Sequence, residues 1–276
     1  MPTTYAHYKF GEEVIGALPR LLRSAIENNR ELFDLGVHGP DLLFYYKALT
    51  KNPVSGQGYA LHDRPAADFF RHAAEVIARA EDPAAARAYI YGFICHFALD
   101  SECHPYVEKM IHDSGIGHSE IEMEFDRLLM KEDYINPVRY LPTGHIHPSK
   151  KNAEVIAPFF ENMTPELIEK CMKGMLFCLK TLHAPNMMKR RLLFGGMKLA
   201  GQENKKGMVM SLEPNPACRD YCRILKRQYA GAVPLAAGLI IRYQKTLFEG
   251  KELPEVFGRT FGPGEDWEQI RLQAAQ

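Results

Sequence analysis

The feature that most constrains the fold of this 276-residue chain is a pair of imidazole–carboxylate motifs with helical spacing. His96 and Asp100 are four residues apart, and so are His118 and Glu122. On an α-helix this spacing places two side chains on one face, about 5–6 Å apart between Cβ atoms. Together with His104, which lies between the motifs, they provide five side chains that suit zinc or a similar divalent metal. The pattern predicts a helical protein with a multinuclear metal site.

The segment that leads to Asp100 is apolar on nearly every helix face. It contains Ile90, Tyr91, Phe93, Ile94, Phe97, Ala98 and Leu99. A helix with this distribution is buried, and a buried carboxylate without compensating charge is strongly unfavourable. An arginine or a simple His–Asp hydrogen bond would compensate a lone pair of residues, whereas the additional ligands nearby favour a metal.

Helical periodicity extends over most of the chain, and strand-like alternation is nearly absent, so the sequence predicts an all-α fold. We expect helices over Gly11–Asn29 with a kink at Pro19, Arg64–Ala80, Asp82 to about Asp100, Gly117–Lys131, Ala153–Glu161, Pro165–His183 and Pro216–Glu249. Stretches rich in proline and glycine are expected to be loops, namely Gly36–Pro40, Asn52–Gly58, Tyr140–Ser149 and Gly258–Gly264. We expect one all-α domain over residues 1–250, with residues 251–276 as a C-terminal extension packed on it.

The composition is typical of a soluble globular protein, with 46% hydrophobic residues and a formal net charge of zero. Because there is no basic excess, nucleic acid is the less favoured partner. The N-terminal residues lack the pattern of a secretory signal, and no apolar run is long enough to span a bilayer. We therefore expect a cytoplasmic protein without a transmembrane segment, in which the six cysteines are free thiols.

Three residues outside the two motifs are further candidate ligands. His7 precedes the first predicted helix, and Asp41 follows the turn-forming pair Gly39-Pro40. His62 lies just ahead of the helix predicted to begin near Pro65. Residues in loops at helix ends commonly carry function, although each of the three also fits a cap, a turn or a surface position.

The order of these residues resembles the zinc-dependent phospholipase C family, which is related to the single-strand-specific zinc nucleases. The resemblance extends over about His7–Glu122 and implies an all-helical fold with two to three zinc ions, another divalent metal remaining open. It implies one zinc site formed by Asp41, His62, His96 and Asp100, and a second formed by His104, His118 and Glu122. Asp100 would bridge the first site to a third that includes His7, and Asp41 would be the base for the attacking water.

The chain departs from the family pattern in two places. The family usually has a longer step after its HxxxD motif, with a proline before the next histidine, whereas here Pro105 follows His104. Family members also begin with a tryptophan whose amino group and carbonyl bind the third zinc. The single tryptophan here is Trp267, so Pro2, exposed by loss of Met1, is the candidate replacement.

The resemblance implies hydrolysis of a phosphodiester, with a phospholipid as a candidate substrate and a membrane surface as a transient partner. The apolar run Leu42–Tyr46 fits either an approach for lipid or part of the core. The stretch Met187–Met210, which includes Lys189, Arg190 and Arg191, fits an anionic lipid surface, a phosphate site or a solvated helix face.

Two other functions remain open. An HD-type metal phosphohydrolase is also all-α, and His62-Asp63 supplies its dipeptide. That dipeptide normally lies within a helix, whereas Arg64-Pro65 predicts that this one precedes a helix, and the HD family does not account for His118 and Glu122. The second alternative is a non-catalytic, metal-stabilised or lipid-binding module on the same scaffold. The remaining histidines, among them His38, His112 and His183, are expected at the surface or at helix ends, and His145 and His147 on one side of a loop.

Overall fold

The computed structural model describes residues 4–272, and within this range the chain is helical without a β-strand, which confirms the predicted all-α fold. The α-helices are α1 (Thr4–Ala17), α2 (Arg20–Glu27), α3 (Arg30–Gly36), α4 (Pro53–Asp63), α5 (Ala66–Arg79), α6 (Pro83–Ser114), α7 (His118–Glu132), α8 (Lys150–Ile156), α9 (Pro165–Leu182), α10 (Met187–Leu199) and α11 (Arg219–Glu249). Short 3-10 helices span Gly39–Tyr45, Ala157–Phe159, Glu203–Met208, Pro216–Cys218, Glu255–Gly258 and Trp267–Gln269.

The helices surround one main hydrophobic core, and α6 runs through it. Tyr89, Phe93 and Phe97 of α6 are fully buried there, as are Phe257 and Phe261 from the C-terminal part of the chain. The boundary between a domain over residues 1–250 and an extension over 251–276 stays a prediction. No helix within residues 4–272 has the length and apolar character needed to cross a bilayer.

Helix α6 is longer than its sequence predicts. It begins where the Asp82 side chain accepts hydrogen bonds from the backbone N–H groups of Ala84 and Ala85, and it ends at Gly115, which has a φ of 71°. The predicted end near Asp100 is wrong, because the helix continues through Pro105 to Ser114. A proline inside a helix costs about 3 kcal/mol, and the burial of α6 in the core offsets this cost.

Helices α3 and α6 cross with their backbones in contact at Gly36 and Gly92. A Cβ atom on Gly36 would lie 2.1 Å from the Tyr89 carbonyl oxygen, and one on Gly92 would lie 2.2 Å from the Phe33 carbonyl oxygen. This close approach sets the position of the 3-10 helix Gly39–Tyr45, which follows α3, beside the middle of α6.

Two of the predicted ligands, expected outside helices, lie within helices. His7 lies inside α1 rather than ahead of the first helix, and the predicted helix Gly11–Asn29 divides at Pro19 into α1 and α2. The segment predicted as a loop around Asn52 is the beginning of α4, so His62 occupies the last turn of that helix. The Asn52 side chain caps α4 by accepting a hydrogen bond from the Ser55 N–H at 3.0 Å.

Candidate metal centre

The structure brings together all eight residues that the sequence singled out as candidate ligands. Within each of three groups, one ligand atom from every residue lies within 4.8 Å of the others. The groups are His7, His96 and Asp100; Asp41, His62 and His96; and His104, His118 and Glu122. Imidazole nitrogens mixed with carboxylate oxygens form the kind of ligand set that zinc favours.

Three of these residues occupy successive turns of α6. His96, Asp100 and His104 are each four residues apart and lie on one face of the helix. The Asp100 Oδ2 atom is 3.0 Å from His96 Nε2 and 3.6 Å from His104 Nδ1. Because α6 continues past Pro105, the short step from Asp100 to His104 keeps His104 on the same face as the first pair.

Asp41 and His62 face this part of α6 from the neighbouring helices. His62 Nε2 is 3.1 Å from Asp41 Oδ1 and 3.7 Å from Asp100 Oδ2. His96 Nε2 lies 3.8 Å from Asp41 Oδ2. These four residues form a closed ring of alternating imidazoles and carboxylates, which is the set that the family resemblance implies for the first zinc site.

His7 reaches the cluster from α1, which α7 holds in place. The Asp126 carboxylate of α7 accepts hydrogen bonds from the Tyr5 N–H at 3.2 Å and the Ala6 N–H at 2.8 Å, in the first turn of α1. His7 Nε2 then lies 3.2 Å from Asp100 Oδ1, and its ring stacks on that of His96 with centroids 4.4 Å apart. Pro2, the candidate replacement for the family's tryptophan, lies outside the described residues.

The third group lies where α6 and α7 meet. His118 Nε2 is 2.9 Å from Glu122 Oε1, and His104 Nε2 is 3.5 Å from the same oxygen. The side chain of His118 is 36% exposed, compared with 11% for Glu122 and 11% for His104. The cluster therefore opens to solvent on the His118 side.

Backbone carbonyl groups orient three of the imidazoles toward the carboxylates. The Nδ1 atoms of His62, His96 and His104 lie 2.8, 3.2 and 2.6 Å from the carbonyl oxygens of Gly58, Val37 and Phe261, respectively. A carbonyl oxygen only accepts hydrogen bonds, so each Nδ1 carries a proton and each Nε2 is turned toward a carboxylate oxygen; when the ring is neutral, Nε2 presents a lone pair there. Two facing lone pairs require a proton or a cation between them.

Several buried polar atoms of the cluster lack hydrogen-bond partners. They are His7 Nδ1, both carboxylate oxygens of Asp41, His96 Nε2, Asp100 Oδ2 and Glu122 Oε2. A cavity of about 30 Å³ lies among His7, Asp100, His104 and Glu122. Buried polar atoms are nearly always satisfied in native proteins, so these atoms fit a centre that is completed by bound cations.

The charges within the cluster are strongly coupled. Burial alone would raise the pKa of Asp41 and Asp100, but the neighbouring imidazoles, chiefly His96 for Asp41 and His104 and His96 for Asp100, hold both below the usual value. Burial opposes the charged form of the histidines, yet the carboxylates raise the pKa of His62 to about 10 and that of His104 to about 9. Without metal, protons on these histidines therefore provide the positive charge that the carboxylates require.

The dipeptide His62-Asp63 precedes α5, as expected, but it also forms the end of α4 and so lies within a helix. Asp63 is nevertheless exposed and belongs to none of the ligand groups, whereas His62 points into the cluster. An HD-type site requires both members of the dipeptide, and this geometry does not provide them.

A second pair of buried histidines lies beyond the candidate ligands. His38 is 1% exposed, and its Nε2 atom is 2.8 Å from Nε2 of His145, whose ring stacks on Tyr8. Of the two positions expected for His38, the surface or a helix end, the structure shows the second, because His38 is the buried residue directly ahead of the 3-10 helix Gly39–Tyr45. Burial lowers the pKa of both histidines, to about 3 for His145. No local pattern in the sequence marks this pair, since its members are 107 residues apart.

Comparison with known proteins agrees with this arrangement. The family model described as "Zinc dependent phospholipase C" matches residues 6–174, which is more than half of the chain and includes all eight candidate ligands. The match ends within α9, so α10 and α11 lie outside it. No individual curated protein and no solved structure matched the chain.

Proposed function

The chain belongs to the zinc-dependent phospholipase C family, and we propose on that basis that it is a zinc-dependent phosphodiester hydrolase. The observation that carries this proposal is the ring of facing imidazoles and carboxylates around Asp100, whose charges and lone pairs bound cations would balance in place of protons. Closely spaced divalent metals supply Lewis acidity, a lowered pKa for a coordinated water and positive charge for phosphate oxygens.

The proposed ligand sets follow the three groups. Asp41, His62 and His96 would hold one zinc together with Asp100, whose Oδ2 atom faces His62 and His96, and His104, His118 and Glu122 would hold a second. Asp100 would connect the first of these to a third ion beside His7, since its two oxygens face His7 and His96 separately. The number of ions, two or three, is part of the proposal.

Asp41 is the proposed base that accepts a proton from the attacking water. Its side chain is buried, and both of its oxygens lack hydrogen-bond partners. His62 and His96 keep the carboxylate ionised at neutral pH, so it can orient a water and accept its proton. The phosphate would enter beside His118, the most exposed of the residues in the third group.

A phospholipid is the proposed substrate, and the run Leu42–Tyr46 had two alternatives, an approach for the lipid or part of the core. Leu42, Leu43, Phe44 and Tyr45 are buried in the structure, which favours the core alternative for this run. Support for a lipid comes from the family and from the surface of α10.

The surface of α10 supports transient contact with an anionic membrane. Met188, Leu192 and Leu199 are 74%, 72% and 92% exposed and follow helical spacing along one face. Residues 170–202 contain seven Lys and Arg residues and no Asp or Glu. An exposed apolar stripe flanked by cations suits the surface of anionic lipids.

Vesicle co-sedimentation tests this contact without requiring catalysis. Binding to phosphatidylglycerol vesicles should fall in a Leu192→Ser/Leu199→Ser variant and remain unchanged in Leu21→Ser, which alters a leucine of α2 that is 86% exposed. Equal binding by all three proteins would exclude α10 as the contact surface.

Hydrolysis of bis(p-nitrophenyl) phosphate tests the proposed reaction. Activity should disappear after chelation, return with added zinc and fall strongly in Asp41→Asn and His118→Ala. His112→Ala provides a matched control, because His112 is 64% exposed and pairs with Asp113 away from the cluster. Activity that is indifferent to chelation would contradict the assignment.

A further inference from the structure

A second cavity lies beside α7 and outside the candidate metal groups. It offers about 90 Å³ to the centre of a water molecule, between α7, the loop over residues 137–142, the end of α9 and residues 208–210. Much of its wall is apolar and includes Met123, Met130, Leu141, Leu179, Met208 and Met210. A single water needs about 10–15 Å³ of such space, so the cavity has room for several waters or for a short hydrocarbon chain.

The guanidinium of Arg190 also lines this cavity. Arg190 is 8% exposed, and its Nη2 atom donates to the carbonyl oxygens of Ala184 at 3.2 Å and Met210 at 2.5 Å. Its Nε atom has no hydrogen-bond partner. Its Cζ atom also lies 5.7 Å from the centroid of the Phe194 ring. A buried cation in this state is costly unless an anion joins it.

Asp126 is the carboxylate that lines the same cavity. It accepts hydrogen bonds from the Tyr5 and Ala6 N–H groups of α1. Arg190, in α10, lines the same cavity and has a donor without a partner.

These features define the chemistry of a ligand. Methionine side chains are flexible and polarisable, and they adapt to hydrocarbon of varied shape. An unused guanidinium donor matches a carboxylate or phosphate oxygen. We infer that this cavity binds a single-chain anionic amphiphile, with its alkyl chain among Met123, Leu179 and Met208 and its head group on Arg190.

The site is separate from the proposed hydrolysis. Leu179, Arg190 and Met208 lie beyond the residues matched by the family model, and none of the candidate metal ligands lines the cavity. Ser119 does line it, and Ser119 is the residue after His118 in α7, so α7 contributes adjacent residues to the cavity and to the third ligand group. A ligand bound there would have its chain close to the opening of the candidate metal centre.

Calorimetric titration of the chelator-treated protein with ten-carbon ligands tests the inference. Decanoate and decyl phosphate, each below its micellar concentration, should bind at least tenfold more tightly than decanol. Arg190→Met should remove this preference, and Arg190→Lys should keep much of it. Arg191→Met is the matched control, because Arg191 is the exposed neighbour on the same helix, and its affinities should stay within twofold of those of the unmodified protein.

A second variant tests whether the alkyl chain of the ligand lies in the cavity. Leu179→Trp fills the cavity and should weaken the binding of all three ligands, provided that the thermal unfolding of this variant stays cooperative. Binding of decanoate alone would identify a carboxylate head group, and binding of decyl phosphate alone would identify a phosphate. Equal affinities for the charged ligands and decanol, or unchanged binding in Arg190→Met, would overturn the inference. Because metal-free protein is used, these results are independent of zinc-dependent hydrolysis, which is measured separately.

Discussion

Gly39 lies directly against the imidazole ring of His96. A Cβ atom at position 39 would come within 2.3 Å of His96 Cδ2, and Gly39 has a φ of 52°. Both facts require glycine, the first for space and the second for backbone conformation. The turn that aims Asp41 at the cluster therefore depends on the absence of a side chain two residues earlier.

Replacing Gly39 with alanine should displace His96 and reduce zinc binding. The added methyl group collides with the ring, and the left-handed conformation costs roughly 1–2 kcal/mol more for alanine than for glycine. Elemental analysis should show at least one zinc fewer per chain than in the unmodified protein. Gly56→Ala is the control, because a Cβ there meets nothing within 4 Å, and its zinc content should not change.

Asp100→Asn should have the largest effect on the cluster. Asp100 lies within 3.7 Å of His7, His62, His96 and His104, so the substitution removes the charge that all four share. Replacing even an indirect partner of a metal typically costs about 10–100-fold in affinity or activity, and we expect at least this loss of phosphodiester hydrolysis. Asp63→Asn, which alters an exposed carboxylate of α4, should retain full activity. Normal turnover by Asp100→Asn would show that this residue has no role in the reaction.

Zinc loading at pH 8 should release protons. The pKa values of His62 and His104 are raised to about 10 and about 9, so both rings are charged at pH 8 in the metal-free protein. Zinc binds the neutral imidazole, so each of these histidines must lose its proton on binding. Titration in weak buffer with an indicator dye should detect this release, and it should diminish in His62→Ala. Zinc binding without proton release would show that the rings are already neutral.

Asp34 should make the protein less stable as pH rises. Burial raises its pKa to about 6, above the ordinary 3.8, although Arg30 donates a hydrogen bond to it at 2.7 Å. A raised pKa means that the folded state holds the proton more tightly, so this contribution to stability is complete below about pH 4 and is lost as pH passes 6. Asp34→Asn cannot ionise.

Urea unfolding tests this prediction. The unfolding free energy of Asp34→Asn, relative to that of the unmodified protein, should rise by up to about 3 kcal/mol from pH 4 to pH 7. Asp68→Asn, at a side chain that is 85% exposed, should show no such trend. A pH-independent difference for Asp34→Asn would mean that Asp34 titrates normally.

Local spacing made the helical part of the cluster predictable. The four-residue intervals in His96–Asp100 and His118–Glu122 place each pair on one helix face whatever surrounds it. The cap of α4 was also visible in Asn52 and Pro53, but the nearby glycines favoured a loop. A helix that begins at this Asn52-Pro53 cap includes His62.

Long-range contacts set the features that the sequence did not predict. His7 is held in α1 by Asp126, about 120 residues away, and His38 is buried by its contact with His145. The continuation of α6 through Pro105 depends on core packing that outweighs the lost hydrogen bond. None of these partners can be identified from residues adjacent in the chain.

Anomalous diffraction at the zinc absorption edge, from crystals of zinc-loaded protein, tests the central claim most directly. We expect one peak among Asp41, His62, His96 and Asp100 and another among His104, His118 and Glu122, with a third beside His7 if the terminal site is filled. Absence of any peak within these groups, in protein that hydrolyses bis(p-nitrophenyl) phosphate, would contradict the proposed metal centre.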